Sequence, residues 1–288
     1  MNYQAPRSVK EAVDLLAAHP GAAHVLAGGT DLLVKLRSGF VAPEVVVDVK
    51  GIGELRGITA DAKGFRIGAA TPCAEIGEHE ALGRAWPGVV EALQLIGSTQ
   101  IQGRATLGGN LCNASPAADS VPAMIAAGVV CEIAGPSGQR EVPVENIITG
   151  PGRNALARGE FIVAFRLPQP RPRSGDAYLR FIPRTEMDIA VVGAGVALTL
   201  DDNGVCTQAR VGLGAVAPTP LLVADGAKAL IGTKVDDKAL AALAAAASTA
   251  CKPIDDKRGT IEYRIKVSGV LARRAATIAL ERARGRHG

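Results

Sequence analysis

Two short stretches hold the residues best suited to chemistry. Ala27-Gly28-Gly29-Thr30-Asp31 and Thr106-Leu107-Gly108-Gly109-Asn110 each set adjacent glycines beside Thr, Asp or Asn. Adjacent glycines admit positive φ and let bare backbone N–H groups come close to a ligand. The neighbouring polar side chains add donors and acceptors beside those amides. Together these are the parts of a cradle for a phosphate or pyrophosphate. A single Gly-Gly is ordinary turn chemistry. Two in one chain, each followed by helix-forming residues, imply a shared role.

Competing motifs are weaker. Gly193-Ala194-Gly195-Val196-Ala197 has the spacing of a dinucleotide fingerprint, which works only between a strand and a helix. Leu198-Thr199-Leu200 instead runs on into a turn at Asn203-Gly204, so the glycines read as packing points within a strand. Neither glycine pair is followed by Gly-Lys-Ser/Thr, which excludes a Walker loop; Lys35 stands one helical turn past the first pair. No serine or cysteine joins a histidine and an acid in a hydrolase pattern, and no catalytic acid or base is nominated. His19 and His24 read as bland surface or turn residues, and Cys112 as a buried apolar thiol. Arg184-Thr185-Glu186-Met187-Asp188 reads as an ion-paired approach to a strand.

The elements that must position the glycine pairs follow from periodicity and punctuation. Ser8-x-x-Glu11 is a capping box opening a helix over 8–18, halted at Pro20-Gly21. A strand at His24–Ala27 leads into the first pair, and Thr30 can cap a helix through Leu36. Val45–Val49 is a β-branched strand. Beyond Leu55, a strand at Phe65–Ala69, a helix from Thr71-Pro72 and a helix after Pro87-Gly88 precede the second pair. A helix then opens at Asp119-Ser120, a hairpin turns at Gly135–Gly138, and Phe161–Phe165 is a strand. Pro168-Gln169-Pro170-Arg171-Pro172-Arg173 is a semi-rigid linker. After it come strands at about 177–183, 188–200 and 205–215, then helices at about 222–231, 236–251 and 261–284, an α+β order. The expected division is 1–53, 54–170 and 175–288.

Composition narrows the class. The chain has 288 residues, 48% hydrophobic and 21% charged, which is globular. Aromatics at 3% leave too few stacking platforms for a single-stranded nucleic-acid binder. The net charge is only +4, and the basic residues from Arg264 to Arg286 read as a solvated helix face. Five dispersed cysteines without a C-x-x-C pair argue against a zinc ribbon or a self-contained iron–sulfur cluster, so no metal ligand is nominated. No signal peptide or spanning helix is evident, and a cytoplasmic protein is expected.

These blocks, in this order, resemble the FAD-binding medium subunit of molybdenum hydroxylases of the xanthine dehydrogenase, carbon monoxide dehydrogenase and aldehyde oxidoreductase type. The resemblance is carried by Leu26–Leu32, by Gln100-Ile101 through Thr106–Asn110, and by Asn113–Asp119. Arg184–Ala190 and Asp256–Arg264 extend it over nearly the whole chain. It implies an α+β fold: a two-subdomain FAD-binding domain of the vanillyl-alcohol-oxidase/PCMH type, followed by a C-terminal α+β domain with a small antiparallel sheet and helices. It implies that Leu26, Ala27, Gly28, Gly29, Thr30, Asp31 and Leu32, with Thr106, Leu107, Gly108, Gly109 and Asn110, bind FAD. The two glycine loops would hold its pyrophosphate. It places Asp119 on the adenosine side, Leu32 and Ile162 beside the isoalloxazine ring, and Arg180 where some members carry a lysine near the flavin. Partner subunits would carry molybdopterin and [2Fe–2S] clusters, and FAD would pass electrons to NAD⁺, oxygen or another acceptor. Whether two such heterotrimers pair is left open. The alternatives are a self-contained flavin oxidase of the same fold and a non-catalytic FAD-binding module.

Overall fold

The computed structural model describes residues 1–285. The first unit is a three-stranded parallel sheet in the order β1-β3-β2, from β1 (Asn2–Gln4), β2 (Ala23–Leu26) and β3 (Val45–Asp48). It carries helices α1 (Val9–Ala18) and α2 (Leu32–Arg37). Ser8 caps α1 as its spacing predicts, accepting the Glu11 N–H at 3.2 Å. The Glu11 carboxylate reaches back one residue further than in a standard box, to the Arg7 N–H at 2.7 Å. Thr30 does not cap α2. Asp31 holds that position in a helical conformation with no side-chain cap, which leaves the Thr30 hydroxyl free of the helix. The edge strand β1 has no periodicity to betray it, because all three residues are exposed.

The second unit is a five-stranded antiparallel sheet, β4-β5-β10-β6-β7. Its strands β4 (Ile58–Asp61) and β5 (Gly64–Gly68) precede a run of short helices: α3 (Cys73–Gly77), α4 (Glu80–Ala85), α5 (Pro87–Gln94), α6 (Thr99–Gln102), α7 (Leu107–Cys112) and α8 (Ser120–Ala127). Pro72 lies just outside α3 as its N-cap, whereas Pro87 is the first residue of α5, where its missing N–H costs nothing. The hairpin β6 (Val130–Gly135) and β7 (Gly138–Pro143), a small pair β8 (Ile148–Gly150) and β9 (Arg153–Asn154), and the long β10 (Phe161–Pro168) complete it.

After the proline-rich linker, β11 (Ser174–Phe181), β12 (Val192–Leu200), β13 (Cys206–Gly214) and β14 (Leu221–Leu222) form an antiparallel sheet in chain order. Helices α9 (Ala224–Leu230), α10 (Asp237–Ala250) and α11 (Ile261–Ala283) follow. Gly204, at φ +76°, turns the β12–β13 hairpin. The fingerprint-like Gly193 and Gly195 lie inside β12, as expected of packing points. A Cβ on Gly195 would come within 2.6 Å of the Pro122 carbonyl oxygen, and one on Gly212 within 2.3 Å of the same atom. Buried α8 therefore lies directly on this sheet.

The basic C-terminal helix is not a uniformly solvated face. Arg264 is buried and donates to the Val191 and Ala215 carbonyls and to Asp256. Arg282 turns inward to Glu91 and the Asp176 carbonyl, while Arg273 stays outside; Arg286 lies outside the described residues. Asp188 pairs with Arg184 at 3.3 Å and Arg258 at 2.8 Å, giving the ion-paired approach to β12. Among the described residues no helix is long and apolar enough to cross a membrane.

Candidate functional site: a cavity with two jaws

A cavity of about 640 Å³ opens between the first two units, within the ~300–1,000 Å³ range of ligand sites. One wall is the end of β2, the first glycine loop and α2; the other is the start of α7 and the turn after β8. Ala27, Gly28, Gly29, Thr30, Asp31 and Leu32 line the first wall. Thr106, Gly108, Gly109 and Asn110 line the second, and Ile162 from β10 lies between.

The two glycine pairs are not equivalent. Gly29 adopts φ +79°, and among the described residues the amides of Gly28, Gly29, Thr30 and Asp31 donate to no protein acceptor. The second pair is not a loop at all: Thr106 caps α7, placing both glycines in its first turn. Their amides are already engaged, Gly108 with the Ala69 carbonyl at 3.2 Å and Gly109 with the Thr106 hydroxyl at 3.0 Å. The Asn110 amide donates to the Thr106 carbonyl, and its side-chain oxygen accepts from the Ser120 hydroxyl at 2.7 Å. The second wall thus contributes close approach of bare backbone, and the first contributes donors.

Four of the residues expected at the site stand elsewhere. Leu26 ends β2, where its carbonyl accepts the Val49 N–H; Leu107 is fully buried in the core of the second unit. Asp119 and Arg180 are brought together, but behind the cavity wall, where they form an ion pair at 3.2 Å with side-chain exposures of 13% and 4%. Arg180 also donates to the Leu95 carbonyl at 2.6 Å. Burial pushes the Asp119 carboxyl up to about 6, against the pull of Arg180.

Four further lining residues, Lys35, Asn113, His24 and Cys112, are not among those nominated from the sequence. Lys35 donates to Asn113 Oδ1 at 2.6 Å, and Asn113 Nδ2 donates to Asp31 Oδ1 at 3.1 Å, a bridge from wall to wall. His24 is not a bland turn residue. It lies on β2 in the cavity wall, its Nδ1 is buried without a hydrogen-bond partner, and burial and then Lys35 hold its pKa down. Cys112 also lines the cavity, and burial pushes its thiol up to about 12, so it stays protonated and unreactive at neutral pH. Among the described residues no group of three His, Cys, Asp or Glu could hold a metal.

Free amides in a glycine loop on one wall and bare glycine backbone on the other are the parts of an anion-binding cleft between the first two units. Comparison with known proteins places the chain in a family. Residues 1–170 match the family described as the FAD binding domain in molybdopterin dehydrogenase, and residues 177–279 match the CO dehydrogenase flavoprotein C-terminal domain. The carbon monoxide dehydrogenase medium chain of Afipia carboxidovorans is 36% identical over 283 residues, covering 98% of each chain. A putative xanthine dehydrogenase FAD-binding subunit of Escherichia coli is 32% identical over 287 residues, covering 99% of this chain and 98% of its own. Among solved structures, a chain of CO dehydrogenase from Oligotropha carboxidovorans superposes with a TM-score of 0.94 at 35% identity, and one of quinoline 2-oxidoreductase from Pseudomonas putida with 0.90 at 27%; each comparison covers 98% of both chains. The chain belongs to the family of FAD-binding medium subunits of molybdenum hydroxylases, and is an oxidoreductase subunit of the α+β fold that its sequence implies.

Proposed function

We propose that FAD lies in this cavity with its diphosphate on the first glycine loop. The reading is carried by one observation, the four unengaged amides of Gly28–Asp31 in one wall of a cavity whose other wall includes Gly108 and Gly109. The buried, unpartnered Nδ1 of His24 offers a further polar contact to the heterocyclic cofactor. Under this reading residues 1–53 and 54–170 are the two jaws, and 175–288 is a separate domain packed on the second.

When bound, FAD supplies electron uptake and release. The chain's own residues would bind and orient it: the amides of Gly28, Gly29, Thr30 and Asp31 would hold the diphosphate, and Leu32 and Ile162 would give apolar walls to the ring. Thr106 does its work indirectly, by capping α7 and fixing Gly109 at the wall. No side chain acts as general acid or base. In such a complex the bound FAD would accept electrons from a [2Fe–2S] subunit, fed by a molybdopterin subunit that oxidises the substrate, and would pass them to NAD⁺, oxygen or another acceptor. The names of relatives, a medium chain and an FAD-binding subunit of dehydrogenases, support a flavin-bearing subunit within a larger complex.

Purification of the chain with its partners, followed by absorption spectroscopy and cofactor extraction, tests it. Stoichiometric FAD together with iron and molybdenum is expected. A complex lacking FAD overturns the cofactor reading, and a chain that purifies without iron or molybdenum partners overturns the electron-transfer role.

A further inference from the structure

The charged side chains lining the described cavity are two acids, Asp31 and Glu160, and one lysine, Lys35. Glu160 is already matched, because Arg140 clasps it with two hydrogen bonds of 2.7 Å. A diphosphate would bring about two further negative charges into this space. Backbone amides carry only partial charges, so Lys35 is the full positive charge available to that ligand among the described lining residues.

The way Lys35 is held suits that task. Its ammonium donates to a neutral amide oxygen, that of Asn113 at 2.6 Å, and not to the carboxylate of Asp31 one helical turn earlier. A neutral acceptor leaves the positive charge uncancelled, and one hydrogen bond leaves two of the three ammonium donors for a ligand. The same amide donates to Asp31 Oδ1, so the acid is hydrogen-bonded to Asn113 and feels the lysine only through space. Asn113 is the C-cap of α7, so the tether reaches Lys35 from the opposite wall and aims its flexible stem across the cavity.

We propose that Lys35 is the cation that faces the diphosphate of FAD, and that Asn113 is the positioning residue that holds it there. This rests on the cofactor reading above. Lys35 is not a Walker lysine, yet a short helix and a partner 78 residues away would give it a comparable charge role.

The test uses the full chain freed of flavin and titrated with FAD at several ionic strengths, followed by flavin fluorescence and calorimetry. The variants are Lys35→Met, Lys35→Arg and Asn113→Ala. Lys35→Met should weaken FAD binding by about 10- to 100-fold and flatten the salt dependence of the dissociation constant, because a screened charge pair is lost. Lys35→Arg should keep the salt dependence and recover part of the affinity, and Asn113→Ala should fall between. Circular dichroism and thermal unfolding confirm that the half-exposed substitutions leave the fold intact. Unchanged affinity in Lys35→Met, or a loss with the wild-type salt slope retained, overturns the assignment. A wild-type chain that binds no FAD overturns the cofactor reading instead, so the two failures are told apart.

Discussion

A methyl group on Gly28 would stand 2.0 Å from the carbonyl oxygen of Arg104. The first glycine loop therefore rests directly on the segment that leads into α7, and the two walls of the cavity touch at this point. Gly28 serves the junction, while Gly29, with φ +79°, serves the curvature of the loop.

Gly28→Ala must push the walls apart. A destabilisation of about 1–3 kcal/mol is expected from overpacking, with a parallel loss of FAD affinity. Chemical denaturation and flavin titration measure both. Gly53→Ala is the control, since a Cβ there meets nothing within 4 Å, and it should change neither.

Gly29→Ala and Gly109→Ala should separate folding from binding. At Gly29 the left-handed backbone penalises a side chain by about 1–2 kcal/mol, so both stability and FAD affinity should fall. At Gly109 the nearest atom to a Cβ is Thr106 Oγ1 at 3.1 Å, and alanine favours the helix by about 1 kcal/mol. The flavin-free variant should keep or gain stability while losing FAD affinity, because the methyl stands in the cavity wall. Undiminished FAD binding by Gly109→Ala would show that the second wall does not meet the cofactor.

Arg180→Met tests the ion pair behind the wall. Removing the guanidinium leaves Asp119 buried and unpaired, a cost of about 3–5 kcal/mol for a broken buried pair. Protonation of Asp119 relieves that cost, so the loss should be larger at pH 8 than at pH 5. Bound flavin should keep its visible spectrum, because neither residue lines the cavity. A shifted spectrum with unchanged stability would return Arg180 to the flavin site.

Asp176 predicts a second pH effect, at the junction of the last domain. Its carboxyl is pushed up to about 7 by burial and then by Glu91, with Arg282 and the Gly88 and Val89 amides pulling the other way. The folded state thus holds a proton more tightly than the unfolded chain. The sign follows: this contribution is fully present below the unfolded value of 3.8 and is lost as pH rises through about 7. Between pH 5 and 8 the wild type should lose roughly 2–4 kcal/mol that Asp176→Asn retains, seen in denaturant titrations at each pH. Parallel pH profiles for the two proteins would rule this out.

The sequence by itself determined the local grammar. Pro87, the proline-rich linker, the Asp201–Gly204 turn and the alanine-rich C-terminal helices are set by φ restriction, missing donors and apolar periodicity, all short-range properties. The order of motif blocks was enough to imply the family and its cofactor. What only the tertiary structure decided is which groups are free to bind. Gly108 and Gly109 have the same letters as Gly28 and Gly29, yet their amides are consumed by Ala69 and Thr106, a competition that spacing does not encode. Asp119 and Arg180 turned from the cavity to each other, and Lys35 found Asn113 across it. Such pairings join residues some 60 to 80 positions apart, one across the cavity and one between the second unit and the last sheet, and they depend on how the units pack and how far each side chain reaches. On the proposed reading, one glycine pair supplies donors and the other supplies room.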